Sequence, residues 1–466
     1  MKRKVLSKTS SRDTHPESHL KGGSPVSVCV VTLGCARNLV DSEVMLGSLK
    51  EAGYRITSRK EEADVLIVNT CGFIADAKEE SIETILELAE YKKRGRCKSL
   101  VVAGCMSQRY SKEMERELPE VDIFVGTGSF HRIAEIIQES SRRSFVSTPE
   151  YIYDYRSPRI LSTPRSHAYV KIAEGCVNRC SYCVIPDIRG DLRSRPPESI
   201  IEEARLLSEQ GVKEINLVAQ DTTSYGADRG YSLEPLLKEL VRVAGIEWIR
   251  LLYLYPGRIS DELMALIAEE PKICPYIDLP IQHINERILR LMNRHYTKDD
   301  VVSLVERIRR RIPDVVLRTT LIVGFPTESE EEFRELLSFV KEAEFERLGV
   351  FTYSREEDTP AFSMEGQIPE ELKEERAQRI MEAQREVSFR KNLLLKGKTL
   401  RVLVDGIEED GLYISRYSGQ APEVDGITLV SSDTPLKAGD MPLVLVTHTD
   451  DYDLYATVVD GAGQSG

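Results

Sequence analysis

The sequence has no basic excess. It holds 63 lysines and arginines against 76 aspartates and glutamates, a formal net charge of −13. A protein whose main work is to coat nucleic acid needs a basic face for phosphate, so the balance argues against that class. No apolar run approaches the ~18 residues of a membrane span, which excludes a membrane-embedded chain. The first 24 residues carry Lys2, Arg3, Lys4, Lys8, Arg12 and Lys21 but no apolar stretch. Residues 1–25 therefore read as a flexible basic tail and not as a secretion signal, and a cytoplasmic protein is expected. Repeats of solenoid period and low-complexity blocks are missing too. Nine cysteines are an odd number, and in a chain without a signal they argue against a disulfide framework.

What is present is ordinary globular composition, 41% hydrophobic and 30% charged over 466 residues. At ~150 residues per domain that suggests about three domains. In residues 26–145 the short apolar runs Val26–Leu33, Ala63–Val68, Ser99–Ala103 and Val121–Val125 alternate with helical patterns such as Asp41–Ala52 and Ala77–Lys93. Continuous apolar runs of this length imply parallel strands covered on both faces, a doubly wound α/β domain.

Three of these runs end alike, in Leu33-Gly34-Cys35, Asn69-Thr70-Cys71 and Ala103-Gly104-Cys105. Parallel strands bring their carboxyl ends to one edge of the sheet, where α/β proteins bind ligands. Cys35, Cys71 and Cys105 are therefore expected to be spatial neighbours. The alternative is three unrelated buried thiols, since free cysteine is often a core filler.

After a linker-like stretch at Glu150–Arg165, strands alternate with helices over 160–396. The strands are Tyr169–Ala173, Glu214–Ala219, Trp248–Tyr253, Tyr276–Pro280, Val315–Val323 and Arg347–Tyr353. Six units fall short of the eight of a closed barrel, so a partial (βα)6 barrel is expected, open on one side to a large substrate or another domain. Glu370–Lys396 reads as a charged bracing helix. Residues 397–466 turn to short alternating strands with Asp405-Gly406 and Asp425-Gly426 as turns, a small five-stranded β-barrel.

The barrel opens with Cys176-Val177-Asn178-Arg179-Cys180-Ser181-Tyr182-Cys183. Three thiolates on one short loop can hold three irons of a [4Fe–4S] cluster and leave the fourth iron open. Zinc would ask for a fourth Cys or His nearby, and His167 is poorly placed to supply one. Gln220 and Asp221 end the second strand, Gln282 and His283 end the fourth, and Arg318 lies on the fifth. All point toward the expected cavity, as candidates for cofactor or substrate contact. Cys29, Cys97 and Cys274 lack partners in spacing and read as fillers.

These motifs make the chain resemble the radical S-adenosylmethionine (SAM) methylthiotransferases, over its whole length after the basic tail. The resemblance implies an auxiliary [4Fe–4S] cluster on Cys35, Cys71 and Cys105. It implies a second, SAM-chelating cluster on Cys176, Cys180 and Cys183, with Tyr182 near the SAM adenine. It further implies a carboxyl-terminal TRAM barrel and reductive SAM cleavage to a 5′-deoxyadenosyl radical, fed by an electron donor such as flavodoxin or ferredoxin. Sulfur insertion at the substrate carbon from the auxiliary cluster would follow. Asn69–Ile74, Lys171–Cys176, Ile185–Gly190 and Gln220–Gly226 are similar to the branch that converts an aspartate of a small-subunit ribosomal protein to 3-methylthioaspartate. Ala36-Arg37, where Pro-Lys is usual, Thr327 and Asp358 depart from its pattern. From Gly397 onward four basic residues face twelve acidic ones, a balance of −8, which suits a basic protein partner better than tRNA. A tRNA adenosine methylthiotransferase and a non-catalytic, zinc-stabilised RNA-binding protein are the alternatives.

Overall fold

The computed structural model describes residues 25–139, 143–409 and 411–459. The expected tail therefore lies, but for Pro25, outside the described residues, as do Asp410 and Asp460. Strands Ser27–Thr32, Val65–Thr70, Ser99–Gly104 and Ile123–Val125 form a parallel sheet, with the two-residue strands Arg55–Ile56 and Ser144–Phe145 at its edges. Val65–Thr70 is buried along its whole length, because helices cover both faces. Alternate residues of a strand point to opposite faces. Ile67 and Val101 accordingly pack with Val44, Met45 and Leu49 on one side, whereas Leu66, Val68 and Leu100 pack with Ile85 and Leu88 on the other. Truncating such a residue, as in Ile67→Ala, costs about 2–5 kcal/mol.

The first helix runs from Ala36 to Glu51, with Cys35 as its N-cap in an extended conformation. Periodicity places its start near Asp41 because Ala36–Leu39 show no apolar stripe. Asn38 is buried there by a different interaction, donating from Nδ2 to the carbonyls of Leu33 at 2.7 Å and Asn69 at 3.2 Å.

The second sheet is open and wholly parallel, in sequence order through His167–Lys171, Glu214–Val218, Trp248–Leu251, Ile273–Asp278, Val316–Val323 and Arg347–Thr352. One set of alternating residues, Val170, Ile215, Leu217, Ile249, Ile277 and Leu317, packs under the outer helices with Ile200, Leu236, Leu263 and Phe333. The helix Glu370–Leu393 lies along the last strand, and its Gln384 Nε2 donates to the Phe345 carbonyl at 2.8 Å.

The opposite, inner set mixes buried charges with Tyr169, Trp248 and Tyr276 and explains what fills the open side. Strands Thr399–Glu409, Leu412–Tyr417, Thr428–Ser431, Leu443–Thr449 and Leu454–Val458 close into a barrel, and this barrel packs against that inner face. Arg416 pairs with Glu214 at 2.7 Å and Asp405 at 2.6 Å. Arg250 pairs with Glu214 at 2.7 Å and donates to the Ser418 carbonyl at 2.7 Å. Buried pairs of this kind add little net stability, yet breaking one strands a charge, so they fix the docking geometry.

Asp405-Gly406 is not a turn. It sits inside an eleven-residue strand, at a register shift between Val404 and Gly406. The bulge accommodates Asp405 as a buried counter-ion, where a sequence pattern suggests a polar loop. The linker at 150–165 is also more than a spacer. Arg159 pairs with Glu43 of the first domain and Glu203 of the second, both at 2.6 Å, and strap residue Tyr153 is buried against Glu203.

Candidate functional site

The carboxyl ends of both sheets face one cavity of about 630 Å³. Cys35 and Cys71 line it from one domain, and Cys176, Cys180 and Cys183 from the other. Cys105 stands just behind, 8% exposed, as the first residue of helix Cys105–Glu117. Glycine allows the three strand ends to converge. A Cβ on Gly34, whose φ is +85°, would fall 2.9 Å from the Cys71 Cβ, and one on Gly104, at φ +97°, would fall 2.3 Å from Asn69 Oδ1. Both positions need a residue without a side chain.

The second loop is held by its own backbone. Cys176 N–H donates to the Gly190 carbonyl at 3.2 Å, and Cys183 N–H to that of Cys180 at 3.1 Å. Two arginines reach the sulfurs. Arg294 Nη1 lies 3.6 Å from Cys180 Sγ, and Arg189 Nη2 lies 3.2 Å from Cys105 Sγ. Arg189 also meets Asp41 at 2.5 Å and Glu174 at 3.3 Å, and Lys171 bonds the same two carboxylates. Two cations and two anions thus share one buried site across the domain boundary.

Burial pushes the Cys71 thiol up to about 12, with Cys105 adding to the shift, and burial likewise raises Cys105, Cys176 and Cys183. Cys35 differs. Burial opposes its ionisation, but Arg37 and Arg189 outweigh it and hold the thiol below its ordinary value. Neighbouring thiols that resist ionising together are relieved by a metal centre, whose charge stabilises all three thiolates. Among the described residues no group of three or more His, Cys, Asp or Glu is placed to hold a single metal ion. One zinc ion draws its thiolates in to ~2.3 Å, whereas a four-iron cluster sets each thiolate on a separate iron. Each trio offers three free thiols, one for each of three irons.

Of the other residues singled out from sequence, Tyr182, Gln220, Asp221, Gln282 and Arg318 all line the cavity. Tyr182 packs against Ile288, Met292 and Phe325. Gln220 Nε2 donates to Glu174 at 2.7 Å, and its buried Oε1 has no partner among the described residues. Asp221 accepts from Asn178 at 2.9 Å, Ser224 at 2.6 Å, and Thr223 and Arg258 at 2.5 Å. The bond from Asn178, with Arg258 bridging the same two residues, ties it to the Cys176–Cys183 loop. Gln282 holds a left-handed φ of 65°. Arg318 pairs with Asp278 at 2.9 Å.

His283 is the exception. It is fully buried and lies outside the cavity lining, where its Nδ1 accepts from the Asn285 N–H at 3.0 Å. Cys29, Cys97 and Cys274 are buried core residues. Sequence reasoning missed Arg189, Arg294 and Tyr253, and the small barrel's loop Pro422–Val424, which forms part of the wall. Arg189 was within reach, since it lies in the quoted stretch Ile185–Gly190.

Residues 27–126 match the uncharacterized protein family UPF0004, residues 170–340 the radical SAM superfamily, and residues 397–459 the TRAM domain. The chain is 51% identical over 441 residues to the ribosomal protein uS12 methylthiotransferase RimO of Syntrophotalea carbinolica, covering 93% of this chain and 97% of that one. It is 52% identical over 440 residues to the protein of the same name from Geobacter sulfurreducens, covering 93% and 98%. Among solved structures it is similar in fold to TsrM, a radical SAM methyltransferase from Kitasatospora setae, at 17% identity and a TM-score of 0.53. That likeness covers 72% of this chain and 74% of the other.

Proposed function

The chain belongs to the RimO family of ribosomal protein uS12 methylthiotransferases, and from that premise we propose that it methylthiolates an aspartate of uS12 in the cytoplasm. Cys176, Cys180 and Cys183 would hold the SAM-binding [4Fe–4S] cluster, and Cys35, Cys71 and Cys105 an auxiliary one. A flavodoxin or ferredoxin would supply electrons. The observation that carries the reading is that five of the six cysteines, from both trios, line one cavity. When bound, the clusters and SAM supply hydrogen abstraction and sulfur, which no side chain can provide.

The chain's own residues place and shield that chemistry. Asp221, with Asn178 and Arg258, fixes the Cys176–Cys183 loop. Lys171, Asp41, Glu174 and Arg189 lock the two cysteine-bearing domains in register. The small barrel closes the open sheet, and its Pro422–Val424 loop narrows the way in. Holding reactants in one orientation and excluding water are large terms in any enzyme.

Exposed Glu408 and Glu409 leave the small barrel acidic outside, which suits a basic ribosomal protein. Asp405 and Asp425 are turned inward, onto Arg416 and onto Tyr276, and do not contribute to that surface. Mass spectrometry of uS12 and of tRNA from a deletion strain tests the reading. The expected result is loss of a methylthio group, about 46 Da, from the uS12 aspartate alone. Loss from tRNA, with uS12 unaltered, would overturn it.

A further inference from the structure

Three cations line the cavity: Arg37, Arg294 and Arg318. Arg318 has its charge answered by carboxylates, and Arg294 has its donors taken up within the protein. Arg318 pairs with Asp278 at 2.9 Å and faces Asp425 at 3.7 Å. Arg294 donates to Tyr296 Oη at 2.8 Å and the Pro280 carbonyl at 2.7 Å, reaches Cys180 Sγ, and stacks 4.4 Å over the Tyr255 ring.

Arg37 is different. Its Nη1 donates to the Ala219 carbonyl at 2.7 Å, and its guanidinium lies 4.7 Å over the Tyr253 ring. Those two contacts hold the plane of the fork, and Cys35 sits beside it. Among the described residues it has no carboxylate partner at ion-pair distance. A half-buried guanidinium with only a thiol beside it and no carboxylate partner is stabilised by an arriving anion, and its paired N–H groups match a carboxylate in two parallel bonds.

We propose that Arg37 is the cavity's carboxylate-binding residue and that it holds the side-chain carboxylate of the acceptor aspartate. This deepens the uS12 reading and rests on it. The carbon to be modified is bonded directly to that carboxylate. Gripping the carboxylate beside Cys35, opposite the Cys176–Cys183 loop, therefore presents that carbon between the two cysteine sets. Arg37 acts here as a binding and specificity residue.

The test uses the holoenzyme, uS12, and uS12 with the acceptor aspartate replaced by asparagine, with dissociation constants measured by calorimetry. The wild-type enzyme should prefer the aspartate form by about tenfold, ~1.4 kcal/mol. Arg37→Met should bring the ratio near one, and Arg37→Lys should restore part of it. If Arg37→Met does not assemble its clusters, Arg37→Gln is read in the same way.

A ratio that persists in Arg37→Met overturns the proposal. Should that variant instead lose affinity for S-adenosylhomocysteine with the ratio intact, the carboxylate bound is the cofactor's and the proposal fails. A changed electron paramagnetic resonance signal with an intact ratio would assign Arg37 to the Cys35 thiolate, and also overturns it. Failure of the wild type to bind either form of uS12 would sink the uS12 reading itself. Normal modification of uS12 with an unchanged ratio would sink only this inference.

Discussion

Arg189 Nη2 lies 3.2 Å from Cys105 Sγ, although 84 residues and a domain boundary separate them. Arg189 ends the helix Ile185–Arg189, which starts two residues after Cys183. One short helix therefore joins the loop of one cysteine trio to a thiol of the other. The distance between the two trios is set by that helix and its buried charges.

Removing that link should be felt in both stability and metal content. Arg189→Met leaves Asp41 and Glu174 with Lys171 alone, a loss of about 3–5 kcal/mol. Acid-labile sulfide should fall from about eight toward about four per chain. Arg189→Lys should keep the fold while binding Cys105 less well. Thermal unfolding with iron and sulfide analysis would reveal it, and full sulfide in the methionine variant would refute the link.

The two trios should separate functionally. Cys176→Ala is expected to abolish 5′-deoxyadenosine formation, whereas Cys35→Ala should retain it and stop sulfur transfer. Chromatography of the nucleoside product, beside mass spectrometry of uS12, distinguishes the two. Robust methylthiolation by the Cys35 variant without added sulfide would contradict the auxiliary role.

His283 predicts a pH effect on stability. Burial pushes its pKa down from 6.5 to about 3, with Glu332 and Glu335 opposing and Arg376 and Arg287 adding to the shift. Between those values the unfolded chain binds a proton that the folded one does not. His283 therefore weakens the fold as pH falls through that window, by up to ~1.4 kcal/mol per unit. Glu328, 3.7 Å away, is raised by burial from 4.5 to about 7 and acts in the opposite sense between those values. The quantity to measure is thus the difference between wild type and His283→Gln. Urea midpoints at pH 6.5 and about 5 should show the wild type losing more on acidification than the variant. Equal changes would exclude a neutral buried imidazole.

Charge on the outer face of the small barrel should set affinity for a basic partner. Reversing Glu408, Glu409 and Asp410 to lysine should raise the KM for uS12 several-fold at low salt, with the effect fading as salt screens the surface. An unchanged KM at low salt would assign these residues to solubility alone.

Much of this was legible in one dimension because the relevant signals are local. Parallel strands followed from unbroken apolar runs, and the convergence of Cys35, Cys71 and Cys105 from their common place at strand ends. The loop Cys176–Cys183 carries its ligand spacing within eight residues. Element ends were less legible where polar residues are buried by bonding instead of by hydrophobicity. Asn38 and Asp405 are examples, and each moved a boundary or abolished a turn.

The sequence by itself determined the apolar strand runs, the three strand-end cysteines and the close-spaced loop Cys176–Cys183, because spacing and periodicity are properties of neighbouring residues. Only the tertiary structure decided that the small barrel fills the inner face of the open sheet through Arg416, Glu214 and Arg250. It also decided that Glu150–Arg165 is a strap, and that Arg37, unlike Arg318, has no carboxylate at ion-pair distance among the described residues. Those facts are pairings between charges far apart in the chain. A guanidinium's partner is chosen by which buried carboxylate the fold brings within reach, and no local pattern records that choice.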